Sequence, residues 1–160
     1  MMITVQNDDF DAGAELASLR QQSGDPGAIV SFTGLVREFY YSADADKQKI
    51  KELYLEHYPG MTEKALKEIV DEAIRRWDIQ AIRVIHRVGT LKPGDQIVFV
   101  AAASAHRHEA FSAAEFVMDY LKTKAPFWKR ESTERGIRWV SHRHSDEVAA
   151  ERWQPTGFSG

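Results

Sequence analysis

The clearest period in the chain lies between Thr62 and Trp77. Ala65, Leu66, Ile69, Val70, Ala73, Ile74 and Trp77 recur at three- and four-residue steps, and Lys64, Lys67, Glu68, Asp71, Glu72 and Arg75 fill the gaps. Apolar residues at that spacing form one stripe of an α-helix, so the segment predicts an amphipathic helix with Thr62 as N-cap and a charged, solvated side. A second helix is predicted from about His106 to Lys122, with Ala110, Phe111, Ala114, Val117, Met118 and Leu121 as its buried stripe and Pro126 as its stop. A shorter helix fits Asp11 to Gln22, where Leu16 and Leu19 share a side, between Asp8-Asp9 and Gly24-Asp25-Pro26-Gly27.

Elsewhere the period drops to two or gives way to short apolar runs, both of which are strand signals. Ala28 to Arg37 is β-branched and aromatic, and Gly34 marks a bulge or a close backbone approach near its end, leaving Arg37 at a strand terminus. Ile50 to Tyr58 alternates Leu53 and Leu55 against Glu52, Tyr54 and Glu56, and Pro59-Gly60 ends it. Strands at Ala81 to Val88 and Gln96 to Ala103 are joined by a turn around Pro93-Gly94. The run Ile97 to Ala103 is apolar on both faces and predicts a central strand covered on both sides. Short strands at Phe127 to Glu131 and Ile137 to Val140 flank a turn at Gly136. Between Glu38 and Lys49 the pattern dissolves into a polar loop, read as mobile, that carries Phe39, Tyr40 and Tyr41. The order β-α-β-β-α-β-β-α-β-β predicts an α+β fold: one domain over residues 1–153, a mainly antiparallel sheet with flanking helices, and a flexible tail at 154–160.

Composition narrows the function classes. With 160 residues, 43% of them hydrophobic, the chain can close one core. The absence of cysteine excludes disulfides, thiolate metal sites and a cysteine nucleophile. The start, Met1 to Asp9, lacks the basic flank and apolar stretch of a signal peptide, and no apolar run approaches the ~20 residues of a membrane span, so a cytoplasmic protein is expected. The net charge of -3 is unevenly spread: His106 to Arg143 carries eight Lys/Arg against five Asp/Glu. That region is where an anionic ligand would be drawn.

His106 and Arg107 stand where a buried strand hands over to a helix, and a helix N-terminus offers free N–H groups to a phosphate; the plainer reading is two polar residues starting a helix. Lys122 lies four residues past Met118 at the edge of the apolar stripe. Its amine can face a cleft, where desolvation would lower its pKa, or it can snorkel to the surface. Lys129 follows the Pro126-Phe127-Trp128 corner, and strand alternation sends Phe127, Lys129 and Glu131 to one face and Trp128 and Arg130 to the other. Arg107 and Lys122 are fifteen residues apart on one helix, a separation of ~22 Å. They cannot grip one phosphate together. Either they hold two ends of a long ligand, or a symmetric dimer brings His106 and Arg107 of one subunit to Lys122 and Lys129 of the other; the dimer is the preferred reading. The His-x-His pairs at His106 and His108 and at His142 and His144 raise a metal site, but on a helix the first pair diverges by about 200°, and neither metal nor cofactor is expected. No Gly-x-Ser-x-Gly, phosphate-cradling loop or dinucleotide fingerprint is present.

Several segments closely resemble one known family: Phe32 to Arg37, Leu55 to Met61, Ile85 to Gly89, Ser104 to Arg107, and above all Met118 to Glu131, which reads Met-Asp-Tyr-Leu-Lys-Thr-Lys-Ala-Pro-Phe-Trp-Lys-Arg-Glu. The family is that of the large, catalytic subunits of molybdopterin synthase (the MoaE family), and the resemblance runs from about Gly27 to Trp153. It implies an α/β hammerhead fold and a homodimer at the centre of a heterotetramer, with a small ubiquitin-like sulfur carrier at each end. The carrier's Gly-Gly thiocarboxylate delivers sulfur to cyclic pyranopterin monophosphate, twice, to make the molybdopterin dithiolene. A chain without cysteine fits a sulfurtransferase whose sulfur arrives on a partner.

Position by position, the resemblance implies Lys122 and Lys129 as catalytic. It implies Leu35, Val36, Arg37, His106, Arg107, Arg130 and Glu131 as substrate-binding, with Phe32, Met118 and Arg143 lining the pocket. In that scheme Lys122 is the acid/base or transient acyl acceptor, Lys129 positions the acyl group, and Arg37, His106, Arg107 and Arg143 hold the anionic pterin. The rivals are a non-catalytic anion- or nucleic-acid-binding module, disfavoured by the acidic total, and a carrier-binding scaffold without catalysis. Neither nucleic acid nor membrane is an expected partner.

Overall fold

A computed structural model of the chain describes residues 2–41, 47–140 and 144–154, with side chains throughout except at positions 40, 41, 47, 48, 144 and 145. In chain order the elements are β1 (Ile3–Gln6), α1 (Ala12–Gln22), β2 (Ala28–Leu35), β3 (Phe39–Tyr41), β4 (Lys47–His57), α2 (Met61–Arg76), β5 (Ala81–Arg87), β6 (Gly89–Leu91), β7 (Gln96–Ser104), α3 (Arg107–Lys124), β8 (Phe127–Thr133), β9 (Gly136–Val140) and α4 (His144–Glu151).

The apolar run in β7 organises the first sheet, whose order is β1-β5-β7-β2. Val98, Val100 and Ala102 point into a core built with Leu66, Val70 and Ala73 of α2 and Ala113, Phe116, Val117 and Leu121 of α3. The alternate residues Phe99, Ala101 and Ala103 point the other way, to Phe10 and Leu19 under α1. Period two thus gives one strand two cores. Gly34 does both things expected of it: the β2–β7 register shifts between Gly34 and Leu35, and a Cβ on Gly34 would lie 2.7 Å from the Val98 side chain.

The second sheet runs β3-β4-β8-β9, with β6 also paired to β4. Its inner face packs Leu53 and Leu55 with Val36, Ile50 and Leu91 into a third, smaller core. Among the described residues only β1 and β5 pair in parallel, so the sheets are mainly antiparallel as expected.

Three elements depart from the predicted order. The stretch 38–49, read as a loop, carries β3 and the start of β4, paired as Phe39↔Lys49 and Tyr41↔Lys47; residues 42–46 lie outside the described residues. Backbone pairing makes this ladder, so no apolar alternation announces it. β6 is three residues held by Leu53 and Leu55 of β4. α4 is fastened by distant partners: Trp153 just beyond it donates from its indole nitrogen to Asp119 on α3 at 2.6 Å and packs edge-on against Trp77 and Phe116.

That aromatic cluster also rotates the expected stripe of α3. Phe116 is buried, whereas Phe111, placed in the stripe from sequence, is 59% exposed. Neighbours on several sides of α3 widen its buried arc toward Trp77 and Trp153. On α2, Ile74 likewise faces out.

The start of α2 corrects another expectation. Gly60, not Thr62, is the N-cap, with φ at +85° that glycine alone tolerates freely, and its N–H donates to the Glu63 carboxylate at 2.6 Å. Thr62 lies inside the helix, fully buried. Its hydroxyl accepts from the Tyr58 N–H at 3.0 Å and donates to the Pro126 carbonyl at 2.9 Å. One hydroxyl thereby ties the end of β4 to the α3–β8 corner. Thr62→Val, which keeps the shape and removes both bonds, is expected to destabilise the fold by about 1–3 kcal/mol in urea denaturation; an unchanged midpoint would show that the corner does not depend on it.

Candidate active site

Where the two sheets meet, the end of β2, the last turn of α3 and the β8–β9 hairpin enclose a cleft of about 1120 Å³. Local sequence builds its rim. Pro126 cannot continue α3 and pushes Ala125 before it into extended backbone, ψ 132°. The chain therefore turns sharply into β8, antiparallel to β4, with Lys129 opposite Leu55 and Glu131 opposite Leu53. Alternation then aims Phe127, Lys129 and Glu131 into the cleft.

Lys122, on the last turn of α3, and Lys129, on β8, both line the cleft. Burial and the adjacent Lys122 amine, through repulsion and hydrogen bonding, pull the Lys129 pKa down to about 8, against the raising influence of Asp146 and Glu131. Lys122 itself is exposed. Of the two readings the sequence left open for Lys122, the exposed one holds, and desolvation falls on Lys129, because β8 is paired on both sides while the end of α3 faces solvent. Glu131 is 7% exposed and accepts from Arg138 at 3.3 Å.

A further side chain in the cleft is His86, on β5, 4% exposed. Its ring stacks on Phe127, with centroids 3.8 Å apart and planes 18° from parallel. Nδ1 lies 2.8 Å from the Arg87 carbonyl. Burial first, then the charges of Lys122, Lys129 and His57, depress its pKa to about 3, so the ring is neutral at physiological pH.

Residues 5–124 match the family described as MoaE protein. The molybdopterin synthase catalytic subunit of Ralstonia nicotianae is 57% identical over 151 residues, 94% of this chain and 83% of that protein. The solved structure of the molybdopterin biosynthesis MoaE protein from Burkholderia ambifaria superposes with a TM-score of 0.78 at 51% identity, covering 95% of this chain and 97% of that one. A more distant structure, the protein–protein complex of subunits 1 and 2 of the molybdopterin-converting factor from Helicobacter pylori, shares the fold at 16% identity and a TM-score of 0.71, covering 89% and 92%.

The chain belongs to the molybdopterin synthase catalytic subunit (MoaE) family. It is an enzyme of molybdenum cofactor biosynthesis. No helix among the described residues is long and apolar enough to cross a membrane.

Of the residues the MoaE resemblance singled out, Phe32, Leu35, Val36, Arg37, Lys122, Lys129 and Glu131 line this one cleft. Phe32 and Leu35 are exposed at its mouth, whereas the Val36 side chain is buried in the third core. Met118 packs against the main core one turn before Lys122. Arg130 lies on the opposite face of β8, over the rings of Tyr54 at 4.8 Å and Trp139 at 5.7 Å, as alternation requires. His106 and Arg107 are exposed at the far end of α3, outside the cleft. Arg143 and the segment 155–160 lie outside the described residues.

Sequence reasoning missed His86 and Arg138. The available signal for His86 was its place on the period-two face of Ile82 and Val84, an inward position where an isolated polar residue needs a partner or a task.

Two pH effects follow. Removing the neighbouring charge by Lys122→Ala should raise the Lys129 pKa from about 8 toward the ordinary value of 10.5; an NMR titration of the lysine amines reads this, and no upward movement would refute the coupling. Between pH 6.5 and about 3 the unfolded chain binds a proton at His86 that the folded chain does not. Folding stability should therefore decline as pH falls through that window, with His86 contributing up to about 1.4 kcal/mol per pH unit, a slope that His86→Leu removes from the pH dependence of urea unfolding.

Proposed function

We propose that this cleft transfers sulfur from the C-terminal thiocarboxylate of a small, ubiquitin-like carrier subunit to cyclic pyranopterin monophosphate, building the dithiolene of molybdopterin in two deliveries. The observation that carries the reading is the pair of amines: a half-buried lysine poised near pH 8 beside an exposed lysine, in a cleft with no cysteine. The sulfur must then come from a second molecule. The two-subunit complex of the distant Helicobacter pylori relative supports a protein as its source.

In each delivery the thiocarboxylate sulfur bonds to a side-ring carbon of the pterin while a C–O bond of that carbon breaks. Lys122, as the ammonium, gives a proton to the departing oxygen. The product is a thioester between carrier and pterin. Water then adds to the acyl carbon, the acyl–sulfur bond breaks, the carrier leaves as a carboxylate, and the sulfur stays on the pterin as thiolate. Lys129, about half unprotonated at pH 8, takes the proton from that water. The second proton, released as the acyl group becomes a carboxylate, returns to Lys122 and restores the ammonium for the next delivery. One water is consumed per sulfur and no oxidant is needed. In this reading Lys129 is the base, and Lys122, expected from sequence to be the acid/base or transient acyl acceptor, acts as the acid.

Arg37 at the cleft mouth attracts the phosphate. His106 and Arg107, roughly 22 Å along α3 from Lys122, act in the cleft of a second copy.

Mixed with thiocarboxylated carrier and precursor, the protein should form dithiolene product, and Lys122→Ala and Lys129→Ala should each slow it by about 100-fold or more. Carrier binding without any conversion would reduce the chain to a scaffold. Co-expressed Arg107→Ala and Lys122→Ala chains should recover about a quarter of wild-type activity. Half the dimers are then mixed, and one of their two shared sites is intact. No recovery would put each site within one subunit.

A further inference from the structure

His86 has no part in the sulfur transfer outlined above, yet its geometry is more constrained than that of any lysine in the cleft. A carbonyl oxygen only accepts, so the 2.8 Å contact with the Arg87 carbonyl requires Nδ1 to carry the hydrogen. In the neutral ring, Nε2 is then a bare acceptor. Among the described residues no donor bonds to it. Stacking on Phe127 at 3.8 Å keeps the ring from turning to offer its other nitrogen. Phe127 itself is two residues from Lys129 on the same face of β8.

A fixed, uncharged acceptor stands out in this cleft. Lys122 and Arg37 are donors and suit the anionic parts of a ligand, and Lys129 is committed to the proton transfer proposed above. Glu131, the nearest carboxylate on β8, is engaged by Arg138 at 3.3 Å. His86 matches a different feature: a neutral N–H. The flat His86–Phe127 stack presents the imidazole edge, and a planar heterocycle can meet that edge in its own plane, with N–H pointing at Nε2.

We infer that Nε2 of His86 accepts a hydrogen bond from a ring or amino N–H of the heterocyclic substrate, making His86 a specificity-determining residue that selects ring systems presenting a donor at that edge. This rests on the cleft being the pterin site proposed above. The carrier's tail also has N–H groups, in its peptide backbone, so the test must separate the two molecules.

Two amides divide the functions of the ring. In His86→Asn the side-chain amide overlays Nδ1, keeps the bond to the Arg87 carbonyl and offers nothing at Nε2. In His86→Gln the amide reaches the Nε2 position, keeps an acceptor there and gives up the Arg87 bond. A purely structural role ranks Asn above Gln; recognition ranks Gln above Asn. In steady-state assays His86→Asn should raise the KM for the pterin about ten-fold, with kcat and the KM for thiocarboxylated carrier within about two-fold of wild type. His86→Gln should return the pterin KM to within about three-fold. Titration of the precursor's fluorescence with each variant, without carrier, should give the same ranking in Kd, and thermal denaturation shows that both variants are folded.

An unchanged pterin affinity in His86→Asn, a rise confined to the carrier KM, or Asn outperforming Gln would each overturn the inference. If the wild-type protein binds the precursor but forms no product with carrier, the sulfur-transfer reading fails, while the fluorescence titration still decides the role of His86.

Discussion

A strand with no polar face has to be covered twice, and β7 is such a strand. From Val98 to Ser104 every residue is buried. Burying a side chain such as Val100 or Phe99 contributes roughly 1.5–3 kcal/mol, so exposing either face would remove a large share of a marginal stability. The fold follows from meeting that demand: α2 and α3 cover one face and α1 covers the other. One side of the cleft is attached to this plate, and the β8–β9 hairpin of the second sheet supplies the other. β2 and β5 flank β7 and carry Phe32 and His86, Arg37 follows just past the end of β2, and α3, lying across the sheet, carries Lys122.

On that rigid frame the cleft concentrates electrostatic conflict. Two amines share it, and one is buried enough to lose its charge near pH 8. Desolvating Lys129 costs stability at neutral pH, as functional sites commonly do. The nearby carboxylates Glu131 and Asp146 offset part of that cost. A neutral His86 adds no further positive charge, because the same burial that weakens Lys129 as an acid holds the imidazole unprotonated. The cleft therefore contains a cation, an amine close to its switching point and an uncharged acceptor within one small volume. Acid/base chemistry on an anionic, nitrogen-rich substrate needs these three kinds of group.

Length imposes the second constraint. α3 runs from Arg107 to Lys124, and its two ends carry cations that a straight helix keeps roughly 22 Å apart. The near end completes the cleft; the far end, with His106 exposed beside Arg107, lies outside it. A rigid helix with a site at one end and unused cations at the other is suited to sharing between two copies. That geometry gives the proposed dimer its mechanistic purpose.

Much of this was legible along the chain because it is local. Helical spacing revealed α2 and α3, the double-sided apolar run revealed β7, and Pro126 with strand alternation put Phe127, Lys129 and Glu131 on one face and Arg130 on the other. The resemblance carried by Met118 to Glu131 named the family before any contact was known. Elements defined by a distant partner were not legible: β3 and β6, which exist through backbone pairing to β4, and α4, fastened through Asp119 and Trp153. The amino-acid sequence by itself determined which chemical groups this protein owns and which face of its own element each occupies, since those depend on residue type and local period. Only the tertiary structure decided that Lys129 rather than Lys122 loses water, that His86 stays neutral with one nitrogen open, and that Phe111 gives way to Phe116. Burial and pKa are properties of whatever segment comes to lie opposite, and no local pattern encodes that.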